Sequence, residues 1–195
     1  MSFSGEVKAE LEKHISKSRH CQLAELAAII SFSGRMILTG ADPRLEIATE
    51  HAGLAKKCYT LLKRAFDISA ELSEQNPGVL YIEEQDAMRR VLMALKFLEE
   101  DGSLHPFRQA VNGMLLQKSC CRRTFVRGAF LASGSMSDPH KSYHFEIVCA
   151  TPQQAEQLRT VISDFGMDAK VVERKKHHVV YLKDCLLYTS PSPRD

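Results

Sequence analysis

The sequence predicts an α+β fold made twice over, each half reading helix–β–β–helix–β–β, with a pseudo-two-fold axis between the halves. Three observations predict it. Patterning repeats at a nearly constant offset: Gly34 and Gly134 stand 100 positions apart, as do Leu45-Glu46-Ile47 and Phe145-Glu146-Ile147, while Phe66-Asp67-Ile68 and Phe165-Gly166-Met167 stand 99 apart. Amphipathic helical runs alternate with short runs of period two, as an α+β chain requires. Finally, two helices of small and apolar residues, "LAAIISFSG" and "VRGAFLASG", occupy equivalent places, with Ala24/Ala28 and Gly128/Ala132 each four apart. Small residues at that spacing stack on one face and let two helix backbones approach closely.

The elements follow in order. Residues 4–15 read as a short helix capped by Ser4, with Val7, Leu11 and Ile15 as its apolar stripe. Residues 21–33 form the first of the paired helices, and Gly34 reads as its C-cap. "RMILTG" and "RLEIATE" read as strands around the turn "GADP". Residues 51–66 are helical with Leu54, Cys58, Leu61, Leu62 and Ala65 on one face, and "DISAELSE" alternates so that Ile68, Ala70 and Leu72 share a side. A strand in "NPGVLYIEE" and a helix over 85–102 complete the first half.

Residues 103–119 read as a connection without a chemical signal. The second paired helix runs to Gly134; "HKSYHFEIVCA" is a strand, residues 151–166 a helix with Thr151 as cap and Pro152 at its first position, and "MDAKVVER" and "HHVVYLKD" two further strands. The predicted division is one repeat over 1–110, a second over 111–184, and a tail, "CLLYTSPSPRD" at 185–195. That tail breaks the pattern and resembles a translated cloning adapter, so the natural chain is expected to continue past Asp184.

Composition narrows the function. Of 195 residues, 44% are hydrophobic and 26% charged, with a net charge of +2. That is ordinary for a globular chain and supplies no global basic field for nucleic acid. No window approaches a membrane span, and the N-terminus lacks the apolar core of a signal peptide. Six cysteines include no C-x-x-C pair, so they read as free thiols of a reducing cytoplasm rather than a zinc ribbon. There is no G-x-S-x-G elbow and no G-x-x-x-x-G-K-[ST] loop.

The two paired helices resemble the LAGLIDADG helix of homing endonucleases, which sits at the centre of a duplicated αββαββα fold. "CCRRTFVRGAFLASGSMSDPHKSYHFEI", with "CQLAELAAIISFSG" and "MSFSGEVKAEL", is similar to the WhiA family of bacterial regulators of sporulation and cell division, over essentially residues 1–184. That resemblance implies a degenerate LAGLIDADG-type region followed by a helix-turn-helix DNA-binding domain, which is not expected within this chain. It also implies a cytoplasmic, nucleoid-associated protein whose contact with duplex DNA lies mainly in that further domain, with the duplicated region open to a protein partner.

In the endonuclease pattern an acid stands just before the last glycine of each helix and holds divalent metal there. Hard Mg²⁺ wants carboxylate oxygens, and the metal stabilises the attacking and leaving oxygens. Ser33 and Ser133 occupy those positions. A neutral hydroxyl cannot replace the acid, and Asp42 and Asp138 lie at unequal offsets beyond, so no catalytic residue, metal site or cofactor is expected. The alternatives are a metal-dependent LAGLIDADG endonuclease and a stand-alone interaction domain.

If Leu45, Ile47, Phe145 and Ile147 point inward, then Arg44, Glu46, Ala48, Glu50, His144 and Glu146 point to the opposite sheet face, with Ser69 and Glu71. The glutamates make that saddle a poor phosphate binder. Arg122, Arg123, Arg174, Lys175 and Lys176 are the expected DNA contacts, against the plainer reading of a solvated hairpin tip and a charged helix start. His177 and His178, being adjacent on a strand, point to opposite faces and do not suggest a metal pair.

Overall fold

The structure, a computed structural model, describes residues 2–141 and 144–182. The expected tail and the last two residues of the final predicted strand lie outside these. Helix α1 (Phe3–Lys13) precedes the first repeat: α2 (Arg19–Ser33), β1 (Gly34–Ile37), β2 (Arg44–Ala48), α3 (Ala52–Phe66), β3 (Glu71–Leu72), β4 (Val79–Ile82) and α4 (Gln85–Ala94). The second repeat is α5 (Ser119–Ser133), β5 (Gly134–Met136), β6 (Phe145–Cys149), α6 (Pro152–Ser163), β7 (Ala169–Arg174) and β8 (His177–Leu182). Both sheets are antiparallel with the same order, β1-β2-β4-β3 and β5-β6-β8-β7. Register exposes further duplication: Val79-Leu80-Tyr81-Ile82 pairs with β2 as Val179-Val180-Tyr181 pairs with β6.

The core is centred on the seam between the repeats, where α2 and α5 pack along their lengths. Ala24, Ala27, Ala28, Ile29 and Ile30 are fully buried, with Phe125, Ala129 and Leu131 opposite. Each fully buried large aliphatic side chain there contributes about 1.5–3 kcal/mol. Gly128 sets the spacing: a Cβ on it would stand 2.8 Å from the Glu25 carbonyl and 2.9 Å from Ala28 Cβ. The expected small-residue stripe is thus the helix contact, although Ala132 is only half-buried.

Several boundaries differ from expectation, for local reasons. α1 is capped by Ser2, whose hydroxyl accepts from the Gly5 N–H; Ser4 instead accepts from the Met136 N–H of β5. Gly34 and Gly134 are not left-handed caps: their φ values are −86° and −98°, and each N–H bonds a helix carbonyl, Ile30 or Phe130, as the chain turns directly into a strand. Glycine is needed there for close approach, since a Cβ would lie 2.8 Å from the Ile30 carbonyl and 2.9 Å from that of Phe130.

Only Glu71–Leu72 of "DISAELSE" is a strand, and Leu72 is exposed while Ile68 and Ala70 are buried. α4 stops at Ala94, not 102, because Lys96 takes φ 64° and the Phe97 and Leu98 N–H groups fold back to the Leu92 carbonyl. α5 begins at Ser119, earlier than the "VRGAFLASG" segment, and β5 is a strand that the spacing of apolar residues does not announce.

The connection over 103–118 is anchored rather than loose. It contains a single 3-10 turn, Gly113–Leu116, capped by Asn112, and Phe107 packs edge-on against Phe97 at 5.0 Å. Gln157 of α6 bonds both polar groups of the Val111 backbone, at 2.9 and 2.8 Å.

Candidate functional site: the feet of the central helices

α2 and α5 each run straight into the first strand of their sheet, so their last residues arrive side by side in the middle of the molecule. At the foot of α5 the Ser133 hydroxyl donates to the Val148 carbonyl at 2.6 Å. At the foot of α2, Ser33 is buried, and the cation Arg108 closes the helix end. Its guanidinium donates to the carbonyls of Ser31 at 3.0 Å and Gly34 at 2.7 Å, satisfying acceptors that a helix C-terminus leaves open. Burial pulls its pKa below the ordinary value.

Gln154 of α6 completes the arrangement. It is 3% exposed, donates to the Ser31 carbonyl and hydroxyl, and accepts from the Ala150 N–H. The Ser31 hydroxyl in turn donates to the Phe107 carbonyl at 2.8 Å. The foot is therefore a closed polar network built from α2, the connection and the second repeat.

Such a site does not favour Mg²⁺. A hard divalent ion such as Mg²⁺ needs oxygen ligands, carboxylates above all, and a guanidinium beside it would repel it. Asp42 is exposed and Asp138 half-buried, both in the loops after β1 and β5; Asp138 accepts from the His140 N–H. β1 alone carries the chain about 10 Å away from its helix foot. The acids that strand register places beside the feet are Glu46, opposite Arg35, and Glu146, opposite Ser135. Both already hold cations: Arg35 pairs with Glu46, and Arg174, at 3.3 Å, with Glu146, which the His144 imidazole also meets at 3.1 Å.

Those pairs change the reading of the saddle. Glu46 and Glu146 do lie on the outer face, but they are 7% and 9% exposed, while the side chains of Arg35 and Arg174 are 65% and 54% exposed. The surface offered to a partner at these points is guanidinium, not carboxylate. Arg44 lies over the Tyr81 ring at 4.6 Å on the same face.

The expected DNA contacts divide into two groups. Arg174, Lys175 and Lys176 are exposed at the β7–β8 hairpin, where Lys175 (φ 50°) and Lys176 (φ 69°) form a two-residue primed turn without glycine. Register puts this turn at the Cys149 end of β6, the end that meets the foot of α5. Arg122 and Arg123 sit in the first turn of α5, roughly 15 Å along the axis from Ser133. Arg122 is engaged locally: it donates to the carbonyls of Leu116 and Gln117, both at 2.9 Å, closing the 3-10 turn. Arg123 is exposed.

Two clusters escape a reading of the sequence alone. Glu25, fully buried on α2, pairs with Lys57 at 2.8 Å and with Arg127 through both oxygens, at 2.9 and 3.1 Å. Lys57 also donates to the carbonyls of Leu11 and His14, so this triad ties α1, α2, α3 and α5 together. The second is His20, Cys21, Cys120 and Cys121 at the opposite ends of the central helices, whose ligand atoms all lie within 4.8 Å of one another. A signal for it exists: 20/120 and 21/121 share the offset of Gly34/Gly134.

The class of protein follows from this architecture: a duplicated LAGLIDADG-type fold whose helix feet carry serines where the endonuclease pattern has acids. Comparison places it more narrowly. Residues 19–91 match the WhiA N-terminal LAGLIDADG-like domain and residues 122–186 the WhiA LAGLIDADG-like domain. A probable cell division protein WhiA of Lachnoclostridium phytofermentans is 40% identical over 193 residues, covering 94% of this chain and 61% of that protein. The chain belongs to the WhiA family, and it spans about 61% of the length of the curated relatives it matches.

Solved structures agree on the fold. Full-length WhiA from Thermatoga maritima superposes with a TM-score of 0.65 at 19% identity, covering 96% of this chain and 60% of that one. The homing endonuclease I-DmoI in complex with DNA and Mn superposes with a TM-score of 0.61 at 12% identity, covering 90% and 100%. Among the described residues, no helix is long and apolar enough to cross a membrane.

Proposed function

We propose that this chain is the catalytically inactive, homing-endonuclease-like region of a WhiA-type DNA-binding transcriptional regulator of cell division, sporulation or both. One observation carries the reading: both acid positions are serine, and a half-buried arginine, Arg108, stands at one helix foot. The fold is kept while the charge its nuclease chemistry requires is replaced. The name of the curated relatives, a cell division protein, supports the process.

In this reading most of the affinity for duplex DNA comes from the further part of the longer family members, for which the resemblance implies a helix-turn-helix. The duplicated region positions that part and offers a surface to a protein partner. Arg174, Lys175 and Lys176 add phosphate contacts beside the seam, with Arg123 a more distant one. A regulator working on the chromosome is cytoplasmic and nucleoid-associated.

The test compares this chain with one extended through the full family length, binding duplex DNA at two salt concentrations. The long form is expected to bind much more tightly and to show the steeper salt dependence. Equal affinity would contradict the assignment of DNA contact to the further part. The same titration with Mg²⁺ or Mn²⁺ would expose cleavage if the endonuclease reading were correct.

A further inference from the structure

We propose that His20, Cys21, Cys120 and Cys121 form a binding site for a thiophilic divalent cation of the zinc class, joining the two repeats at the N-terminal ends of the central helices. Such a site is independent of any DNA-binding role.

The donor set comes first. Three cysteine sulfurs and one imidazole nitrogen are a complete ligand complement for a closed, four-coordinate structural zinc site. The geometry is already close. His20 Nδ1 lies 3.2 Å from the Cys121 sulfur, 3.5 Å from that of Cys21 and 3.9 Å from that of Cys120. In a tetrahedron with Zn–N of about 2.1 Å and Zn–S of about 2.3 Å, the N···S edge is about 3.6 Å and the S···S edge about 3.8 Å. All four donor atoms lie within 4.8 Å of one another, so side-chain adjustments of a fraction of an ångström to about one ångström would close the site.

The surroundings suit thiolates. Cys21 is in the first turn of α2 and Cys120 and Cys121 in the first turn of α5, so two helix N-termini point their positive ends at the cluster. Lys118 adds a cation beside Cys121. Burial of Cys21 and Cys121 works the other way, since it disfavours a bare thiolate, and a bound divalent ion is the kind of partner that overcomes this cost. A groove lined by His20, Leu23, Met114, Leu115, Lys118 and Cys121 gives access from solvent.

Sequence spacing conceals the set because the ligands come as two adjacent pairs 100 positions apart, related by the duplication. Each repeat supplies one pair, so the ion would staple one half of the molecule to the other.

Cobalt(II) titration of the reduced protein in a Cys185→Ser background tests this. We expect one equivalent per chain, with the visible bands of tetrahedral cobalt and thiolate-to-metal charge transfer, displaced by Zn²⁺. Zinc should also raise Tm and slow alkylation of Cys120. Cys120→Ser, at a half-buried position, should weaken binding by more than the roughly 10–100-fold that loss of an outer partner costs. His20→Asn should do the same, and Cys149→Ser, at a buried thiol outside the cluster, should leave binding unchanged. Circular dichroism verifies that each variant is folded. Absence of the tetrahedral spectrum in the parent protein, or a spectrum indifferent to both Cys120→Ser and His20→Asn, would overturn the proposal.

Discussion

Glu25 shows what a single residue does in this molecule. It is fully buried between Lys57 and Arg127, so Glu25→Gln would leave two cations facing a neutral amide. Breaking such a group from one side costs about 3–5 kcal/mol, and Tm should fall by roughly 6–20 °C in thermal unfolding. Burial, opposed by Glu25, pushes the Lys57 amine below its ordinary range. A base with a lowered folded pKa binds fewer protons folded than unfolded between the two values, so stability rises with pH there, up to about 10.4. The Tm difference between wild type and Lys57→Met should therefore shift in favour of the wild type as pH climbs through that window. At the seam, Gly128→Ala places a methyl against the Glu25 backbone and should cost about 1–3 kcal/mol, whereas Gly113→Ala, with nothing within 4 Å, should change stability by less than about 0.5 kcal/mol. Denaturant titration separates the two.

Among the elements, the β7–β8 hairpin is the one whose function is open to direct measurement. If Arg174, Lys175 and Lys176 touch phosphates in the full-length protein, replacing all three with alanine should flatten the salt dependence of DNA binding by about 0.9 for each phosphate no longer neutralised. An unchanged slope would make the turn only a solvated tip. Elements with strong periodicity are readable from sequence: α2, α3, α6, β2, β4 and β8 stand close to where apolar spacing puts them, and α5 ends where expected although it starts earlier. Less readable are features decided by tertiary packing. α4 ends early because Phe97 is drawn into the core, which no helix propensity reports. Ser2 rather than Ser4 caps α1 because Ser4 reaches β5. The alternation of residues puts the saddle acids on the correct face but says nothing of their neutralisation, since Arg35 and Arg174 come from other strands.

At the scale of the whole molecule, duplication explains both what is legible and what is hidden. A repeat offset of 100 marks the paired helices and their glycines directly. The same offset brings His20 and Cys21 against Cys120 and Cys121, and this becomes visible only when the helices are packed. The connection is the least legible part: its chemistry lies in Arg108, which meets the foot of α2 only in the folded chain. The central claim is that the endonuclease fold persists here without its chemistry. It is tested most directly by incubating the pure protein with supercoiled and linear duplex DNA in Mg²⁺ and in Mn²⁺ and following strand breaks. The account predicts no nicking in either metal. Metal-dependent nicking that travels with the protein through purification and disappears on mutating Asp42 or Asp138 would contradict it.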